Sequence, residues 1–529
     1  DLKVISKLGL GKVKVIAKSG NETAQHDIEI DVRPSNPKVV EFVDAVIEPG
    51  KSWDAVYTLP GMEGTNKATL EVSNIPPIGL EKRLKYLIDY PHGCVEQVTS
   101  GAFPQLYLSK LMELDERIKP KIGENIRGAL NQLKKFQTSD GSLSYWPGQV
   151  SYISDWGTSY AGHFMLEAQA AGYELPIGFL SNWLNYQRRE ARNWNPPNKN
   201  SKNYYYRDDL MQAYRLYTLA LAKSPELGAM NRLKEMKDLN PDARWRLAAA
   251  YQLAGQNEVA KQLIYNQSTE VKEYRELSYT YGSWERDKAM IIETLSLLGD
   301  RSNAKPLVDQ ISKQMSGNYW MSTQSTAFCL LAISKFLGNT NAASEMKFSY
   351  KLNGGNLSEK FTQLPLSQIS MDAKTGKGGT AKVVNNGKGI IFARIVMEGV
   401  PEVGDDKESE NNLTMNIVYR TMDGQILNPA IIEQGTDFMA EISLANPGLR
   451  GYYKEMALTQ IFPSGWEIHN TRMDLVSNVH LEKFSTPSYQ DIRDDRVYSY
   501  FDVGEKQTLK FRILLNASYL GKFYLPSAY

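Results

Sequence analysis

Hydrophobic period changes twice along this chain, and those changes limit its architecture more than any other feature. From Lys12 to about Asn74 apolar and polar residues alternate, as in Val13, Val15 and Ala17 before a Gly20-Asn21 turn and Ile28, Ile30 and Val32 after it. Strand-like runs follow at Val39–Ile47, Trp53–Thr58 and Ala68–Val72, and Pro76-Pro77 ends them. From about Ile78 to Leu337 the spacing is helical, in roughly twelve segments that run from 78–89 and 94–113, through 241–254 and 284–298, to 322–337. After Ser344 strands return at Met346–Leu352, Lys360–Leu364, Ile390–Val396 and Leu413–Tyr419, with turns at Gly376–Gly379 and Asn385-Asn386-Gly387, and the pattern continues to Tyr529. The expected fold class is multidomain α + β.

The helical block interrupts β structure. Residues 35–75 and 345–408 are therefore predicted to be two halves of one β domain, with the helices of 76–344 inserted between them. About six helical hairpins form either a closed α/α toroid or an open solenoid. Loops of related composition precede three helix starts: Asp140–Trp146, Tyr281–Trp284 and Asn318–Met321. In a radial arrangement they gather at one end, near Cys94. Residues 1–34 read as the end of another β domain and 409–529 as a β-sandwich.

One of the chain's two cysteines stands three residues before a glutamine, in Pro91-His92-Gly93-Cys94-Val95-Glu96-Gln97. The Cys94 sulfur can displace ammonia from the Gln97 carboxamide and close a ring of about fifteen atoms, a span that backbone bond lengths easily cover. The product is an activated acyl group that an amine or hydroxyl can capture once, so the pattern describes a covalent trap. Pro91 stops the preceding helix, Gly93 supplies backbone freedom, and Cys94 opens the next helix, where the dipole stabilises developing negative charge. Such a bond needs shielding from water. Tyr90, Tyr145, Trp146, Trp156, Tyr319 and Trp320 are the candidate aromatic wall. His92 is either a local base or a turn residue, His163 reads as a satisfied core or surface histidine, and Cys329 as buried helix core. Glu96 leaves on another face and reads as a structural hydrogen bonder.

Sixty-one basic and 60 acidic residues leave a net charge of +1, so no global field favours nucleic acid or an anionic membrane. Two cysteines cannot build a disulfide framework, which does not exclude an exported protein. No apolar run of about twenty residues occurs, no His-x-x-x-His or Cys-x-x-Cys pattern suggests a metal, and no cofactor is expected. Asp1-Leu2-Lys3-Val4 shows no signal peptide and begins as if inside a β domain, so a longer parent protein is expected. With 30 Tyr and 9 Trp, a second reading is an α/α-toroid lyase or hydrolase acting on carbohydrate, with Asp140, Asp155 or Asp208 as its acids. It leaves the Cys94–Gln97 spacing without a purpose.

Tyr90-Pro91-His92-Gly93-Cys94-Val95-Glu96-Gln97 resembles the Tyr-Pro-x-Gly-Cys-x-Glu-Gln motif of bacterial α2-macroglobulins, members of the thioester superfamily that includes complement proteins. Asp140-Gly141 with its following aromatics, Trp320–Ala327 and Arg493–Arg496 extend the likeness over the whole chain. The resemblance implies a toroidal thioester domain inserted into a CUB-type β domain, then a macroglobulin-like β-sandwich. It implies a broad-spectrum protease inhibitor, not a turnover enzyme, that captures proteases through a Cys94–Gln97 thioester after cleavage of a bait region absent from this chain. Its partners would be target proteases and upstream macroglobulin domains, in a periplasmic or cell-envelope parent whose lipid anchor lies elsewhere. It also implies a shielding tyrosine from the last β domain, Tyr489 or Tyr498. Some complement relatives place a histidine after the Asp-Gly element to speed transfer to hydroxyls; Trp146–Asp155 contains none, which favours amines.

Overall fold

The computed structural model describes residues 8–32, 34–80, 83, 93–114, 118–149, 151–196, 208–276, 279–317, 321–338, 345–373, 377–402, 404, 408–449, 451–469 and 484–529. Its first strands, β1 (Gly9–Ser19) and β2 (Glu22–Val32), form an antiparallel hairpin. Next come β3 (Val39–Ile47), β4 (Ser52–Thr58) and β5 (Lys67–Ser73). After the helices the chain adds β6 (Met346–Leu352), β7 (Ser358–Thr362), β8 (Leu366–Met371), β9 (Gly378–Asn385) and β10 (Ile391–Gly399).

Strands from the two sides of the helical block share sheets. One sheet runs β3-β10-β5-β8 and the other β4-β9-β6-β7. Their inner faces meet in one core of residues such as Tyr57, Leu70, Val72, Phe348, Val383 and Ile395, as alternation in half-buried strands requires. Two of these strands depart from the sequence reading. Residues 366–371 carry polar Ser367, Gln368 and Ser370 out of strict alternation, which hid β8, and β9 begins at Gly378, inside the expected Gly376–Gly379 turn. A side chain at Gly378 would fall 2.1 Å from the Tyr57 carbonyl, so strand pairing with β4 needs the glycine there.

The inserted helices are α1 (Val95–Ala102), α2 (Ile118–Phe136), α3 (Asp155–Ala170), α4 (Phe179–Asn193), α5 (Asp208–Leu221) and α6 (Leu227–Lys234). They continue with α7 (Pro241–Leu253), α8 (Asn257–Ile264), α9 (Trp284–Leu298), α10 (Arg301–Ser316) and α11 (Thr323–Gly338). A 3-10 turn at Phe103–Tyr107 and one helical turn at Leu108–Leu111 follow α1, so the expected 94–113 helix is broken where Pro104 enters. The expected helix at 78–89 lies almost wholly outside the described residues.

The odd-numbered helices pack side by side in chain order, and α11 returns to α1. The even-numbered ones lie outside, each on an inner neighbour. Composition sorts the two sets. Outer α2 buries one stripe, Ile122, Ile126, Ala129, Leu130, Leu133 and Phe136, at helical spacing. Inner α9 is buried at every residue from Glu285 to Ser296, and inner α7 brings Ala248, Ala249 and Ala250 into close contact with its neighbours. The ring interior therefore encloses charge, including Arg246 paired with Glu293 at 2.8 Å and Arg286 with Asp287 at 2.8 Å.

At Gly162 on α3 an added Cβ would lie 2.2 Å from the ring of Trp183 on α4, whose indole N–H donates to the Thr158 carbonyl at 2.8 Å and so cannot swing away. Gly162→Ala is expected to lower stability by about 2 kcal/mol through overpacking, despite the better helix propensity of alanine. An unchanged denaturant midpoint would remove this packing argument.

After β10 the chain forms β11 (Thr414–Thr421), β12 (Asp437–Ala445), β13 (Tyr453–Ile461), β14 (Glu467–Ile468), β15 (Tyr489–Ile492), β16 (Arg496–Val503) and β17 (Thr508–Asn516). These make a sheet β11-β12-β17-β14 and a sheet β13-β16-β15. Both contribute to shared cores, with Phe438, Phe462 and Val497 in one and Ile442, Phe501 and Phe511 in the other. Among the described residues, no helix is long and apolar enough to cross a membrane.

Candidate functional site

Cys94 is the N-cap of α1, with an extended backbone at φ −75° and ψ 164°. Its Sγ accepts a hydrogen bond from the Gln97 backbone N–H at 3.4 Å, and Gln97 Oε1 accepts from the Cys94 N–H at 3.4 Å. This is a reciprocal capping box, in which N-cap and N3 satisfy each other's orphan donors. A sulfur here replaces the usual hydroxyl. The consequence is chemical: the three-residue spacing that caps a helix also brings the Gln97 carboxamide back over the cysteine. Helix initiation and the juxtaposition of sulfur and carboxamide are one event.

The pair is enclosed. Cys94 is 1% exposed and Val95 fully buried. Glu96 turns away and fastens α1 to the ring, its Oε1 accepting from Ser100 Oγ at 2.7 Å and from Thr323 Oγ1 of α11 at 2.8 Å. Burial pushes its carboxyl upward against those bonds. It is the structural hydrogen bonder that the helical spacing implied. Gly93 is not in the left-handed region; its constraint is space, because a Cβ would approach Gln132 Nε2 at 3.2 Å.

The loop before α3 supplies the cover. Asp140 anchors it by accepting from Thr138 Oγ1, the Ser142 N–H and Ser142 Oγ at 2.6, 3.0 and 2.7 Å. Burial opposes ionisation there, yet these bonds and Arg189 bring the Asp140 carboxyl down to about 2. Gly141, at φ +96°, turns where any side chain would strike the Asn182 carbonyl. The loop then reaches α1, where the Tyr145 carbonyl accepts from the Val95 N–H at 3.1 Å. The Tyr145 ring stacks on Tyr281 at 5.9 Å and 16°. Trp146 and Tyr152 meet Tyr145 edge-on at 5.6 and 5.9 Å. Burial pushes the Cys94 thiol up, partly offset by Tyr145 and the Gln97 N–H. The site thus disfavours a free thiolate.

The aromatics named from the sequence divide into three groups. Tyr145 is tied to the start of α1 through its carbonyl, and Trp146 flanks it, 41% exposed. Trp156 faces the ring interior, packed at a tilt on Tyr214 at 4.7 Å and under Arg286 at 4.5 Å. Tyr90, Tyr319 and Trp320, with His92, lie outside the described residues. In the last sandwich Tyr489 packs on Tyr500 at 5.8 Å, and Tyr498 lies under Arg493 at 5.4 Å. Tyr281 was not singled out as a wall residue. Its signal was available in the echo of Tyr-Gly-Ser-Trp before a helix, and its φ of +50° turns the backbone sharply there.

The remaining candidates are built into the framework. His163 is buried, with Nδ1 3.1 Å from the Tyr214 hydroxyl, and burial lowers its pKa. Cys329 Sγ donates to the Glu285 carbonyl at 3.7 Å inside the ring. Asp155 accepts from Arg215 Nη2 at 2.9 Å and the Tyr186 hydroxyl at 3.1 Å, so like Asp140 it is committed to structural bonds. Asp208 opens α5, its carboxyl pushed up by burial. Among the described residues, no group of three or more His, Cys, Asp or Glu could hold a metal.

Residues 69–192 match the family model for the A-macroglobulin TED domain, and residues 416–529 that for the bacterial alpha-2-macroglobulin MG10 domain. The alpha-2-macroglobulin of Xylella fastidiosa (strain Temecula1) is 23% identical over 99% of this chain and 33% of its own length. That of Escherichia coli K12 is 24% identical over 94% of the chain and 31% of its own length. The chain thus spans about a third of the length of the curated relatives it matches. The crystal structure of native E. coli alpha-2-macroglobulin from domain MG7 to the C-terminus has a similar fold, with a TM-score of 0.66 at 19% identity, covering 98% of this chain and 83% of that one. A Salmonella alpha-2-macroglobulin crystallised after reaction with methylamine gives 0.65 at 21% identity over 98% of this chain and 34% of that one.

Proposed function

We propose that this chain, the C-terminal region of a bacterial alpha-2-macroglobulin, is the reactive part of a covalent protease trap and not a turnover enzyme. The reciprocal Cys94–Gln97 cap carries the reading, because it presents sulfur and carboxamide to each other inside a shielded helix start. In the proposed chemistry Cys94 sulfur bonds to the Gln97 side-chain carbon and releases ammonia. When the cover is displaced, a lysine amine of the captured protease takes the acyl group and frees the thiol. Cleavage of a bait region and rearrangement of upstream macroglobulin domains, neither in this chain, would do the uncovering.

In this reading the closed run of odd-numbered helices is the α/α toroid of a thioester domain, spanning 76–344. The sandwich of residues 35–75 and 345–408 is its CUB-type host, residues 1–34 end one macroglobulin-like domain, and 409–529 form another. The parent protein belongs in the cell envelope or periplasm, held by an anchor outside this chain. Amines are the favoured nucleophiles, since no histidine follows Asp140-Gly141 before α3.

The test is mass and methylamine. An intact bond makes the chain about 17 Da lighter than free Cys plus Gln, and methylamine should add at Gln97 while one thiol appears at Cys94. Reaction of a Salmonella relative with methylamine supports this choice of probe. A parent protein with neither the deficit nor the uptake rules the reading out.

A further inference from the structure

A polar cavity of about 50 Å³ adjoins the starts of α1, α9 and α11. It has room for a few waters or one ammonium group, since a single water needs about 10–15 Å³ on the same measure. Glu96, Glu276 and Glu285 line it, against one guanidinium, Arg275, which is exposed. Glu285 is 2% exposed, and among the described residues its carboxylate has no hydrogen bond and no ion pair. Two compensations fall short. The α9 dipole favours a carboxylate in the first turn but supplies no hydrogen bond here. Arg83 feels the charge, yet it donates to the Met315 and Gly317 carbonyls at 2.9 and 3.3 Å. Buried charges are ordinarily paired, because an unpaired one is costly.

The lining suits one kind of cation. Ser325 Oγ lies 2.8 Å from Ser283 Oγ and 2.8 Å from Ser322 Oγ, so the wall offers hydroxyl as well as carboxylate oxygens. Its three carboxylates do not converge as a metal would require, for no such group exists among the described residues. A primary ammonium needs no convergence. It carries three N–H donors, and its bonds to carboxylate are charge-assisted. We propose that this cavity is a subsite for a primary ammonium, the protonated form of the amine that the acyl group takes, with Glu285 as its anchor and Glu96 and Ser325 as further acceptors. The purpose of the subsite rests on the trap reading above; its ligand class does not.

Glu96 is the chain neighbour of Gln97, so an amine held there waits close to the acyl group. The walls belong to the helix starts and to the loop before α9. The loop before α3 joins them only through the stack of Tyr145 on Tyr281, so displacing that cover removes none of the carboxylates. A hydroxyl gains nothing from such a subsite, which gives the preference for amines a structural basis.

The binding test uses the full chain carrying Cys94→Ala, which has no nucleophile and cannot react. Methylammonium chloride is expected to raise its thermal midpoint above that in choline chloride at equal ionic strength, because choline has the charge but no N–H. Adding Glu285→Gln should remove the difference. Equal midpoints in the two salts overturn the proposal, and potassium chloride matching methylammonium overturns the ammonium assignment. A rate test keeps Cys94 and compares thiol release by methylamine, mostly protonated at neutral pH, with release by hydroxylamine, mostly uncharged there. Glu285→Gln should lower the methylamine-to-hydroxylamine rate ratio about 10-fold, the effect of losing one charge-assisted hydrogen bond. An unchanged ratio also overturns the proposal. Should Glu285→Gln melt early, the comparison of salts on Cys94→Ala alone decides. Methylammonium binding by that chain, beside a wild-type parent with neither mass deficit nor methylamine uptake, would sink the trap reading and leave the subsite standing.

Discussion

Cys94→Ala is expected to abolish both signatures of the site: no mass deficit and no methylamine incorporation, in a chain that still folds. The substitution removes the nucleophile and also the sulfur that accepts the Gln97 N–H at the start of α1. Losing an N-cap acceptor costs about 1 kcal/mol, too little to unfold a ring whose core extends through α11. Cys94→Ser separates the two roles. A serine oxygen accepts the same N–H and restores the cap, so stability should return toward the wild type while methylamine uptake stays at zero. Labelled methylamine, peptide mapping and a denaturant titration of the three chains check this. Label at Gln97 in the alanine chain would mean that the carboxamide is activated by something other than Cys94.

Arg246→Met is expected to cost the most stability. The Arg246 side chain is 0% exposed and its Nη1 bonds Glu293 Oε2 at 2.8 Å, with Glu293 1% exposed. Glu293 also accepts from the Tyr217 hydroxyl at 2.8 Å and lies 3.3 Å from Lys335 Nζ. The guanidinium stacks on Tyr217 at 4.3 Å. Burial alone would push the Glu293 carboxyl up, yet Arg246, Lys335 and His163 bring it down to about 2. Removing the arginine leaves a buried carboxylate short of its main partner, at a cost of about 3–5 kcal/mol. Since the folded pKa is depressed, Glu293 contributes stability that is present above its ordinary 4.5 and lost as pH falls toward about 2. The variant should be weaker at neutral pH and lose less on acidification across that window. Denaturant unfolding at several pH values measures both, and a loss below about 1 kcal/mol would show that the ring tolerates the charge unpaired.

Much of the helical block was legible because period and caps are local. The expected 284–298 segment is α9 to the residue, and Gly299 closes it at φ +76°, as a left-handed C-cap should. Residues 35–75 and 345–408 were expected to share a domain, and their strands do pair. What periodicity could not carry was the difference between inner and outer helices. Arg246, Arg286 and Glu293 look like solvated residues in sequence. Their burial depends on partners from other helices, such as Glu293 for Arg246 across 47 positions. β8 and β9 were obscured by serine and glycine, whose place in a strand depends on what packs opposite. At the site, the Cys94–Gln97 spacing could be read from sequence because motif and helix geometry coincide, while Tyr145 was one of six aromatics that composition offered for the wall. Tyr281 could not be assigned, since it reaches the sulfur's neighbourhood only through the meeting of two loops more than a hundred residues apart.

The sharing of sheets across the helical block also dictates an order of assembly. β3 pairs along its whole length with β10, Ile47 opposite Ile391, so the partner of each early residue is made about 350 residues later. At about 5–20 residues per second, β3 waits on the order of a minute or less for that strand. During the wait Val39–Ile47 and Lys67–Ser73 are open edges, the kind of surface that invites wrong pairing. The intervening helices form from nearer contacts and can close first. Closing them returns α11 to α1, so the helical ring acts as the clasp on which the flanking sandwich is completed.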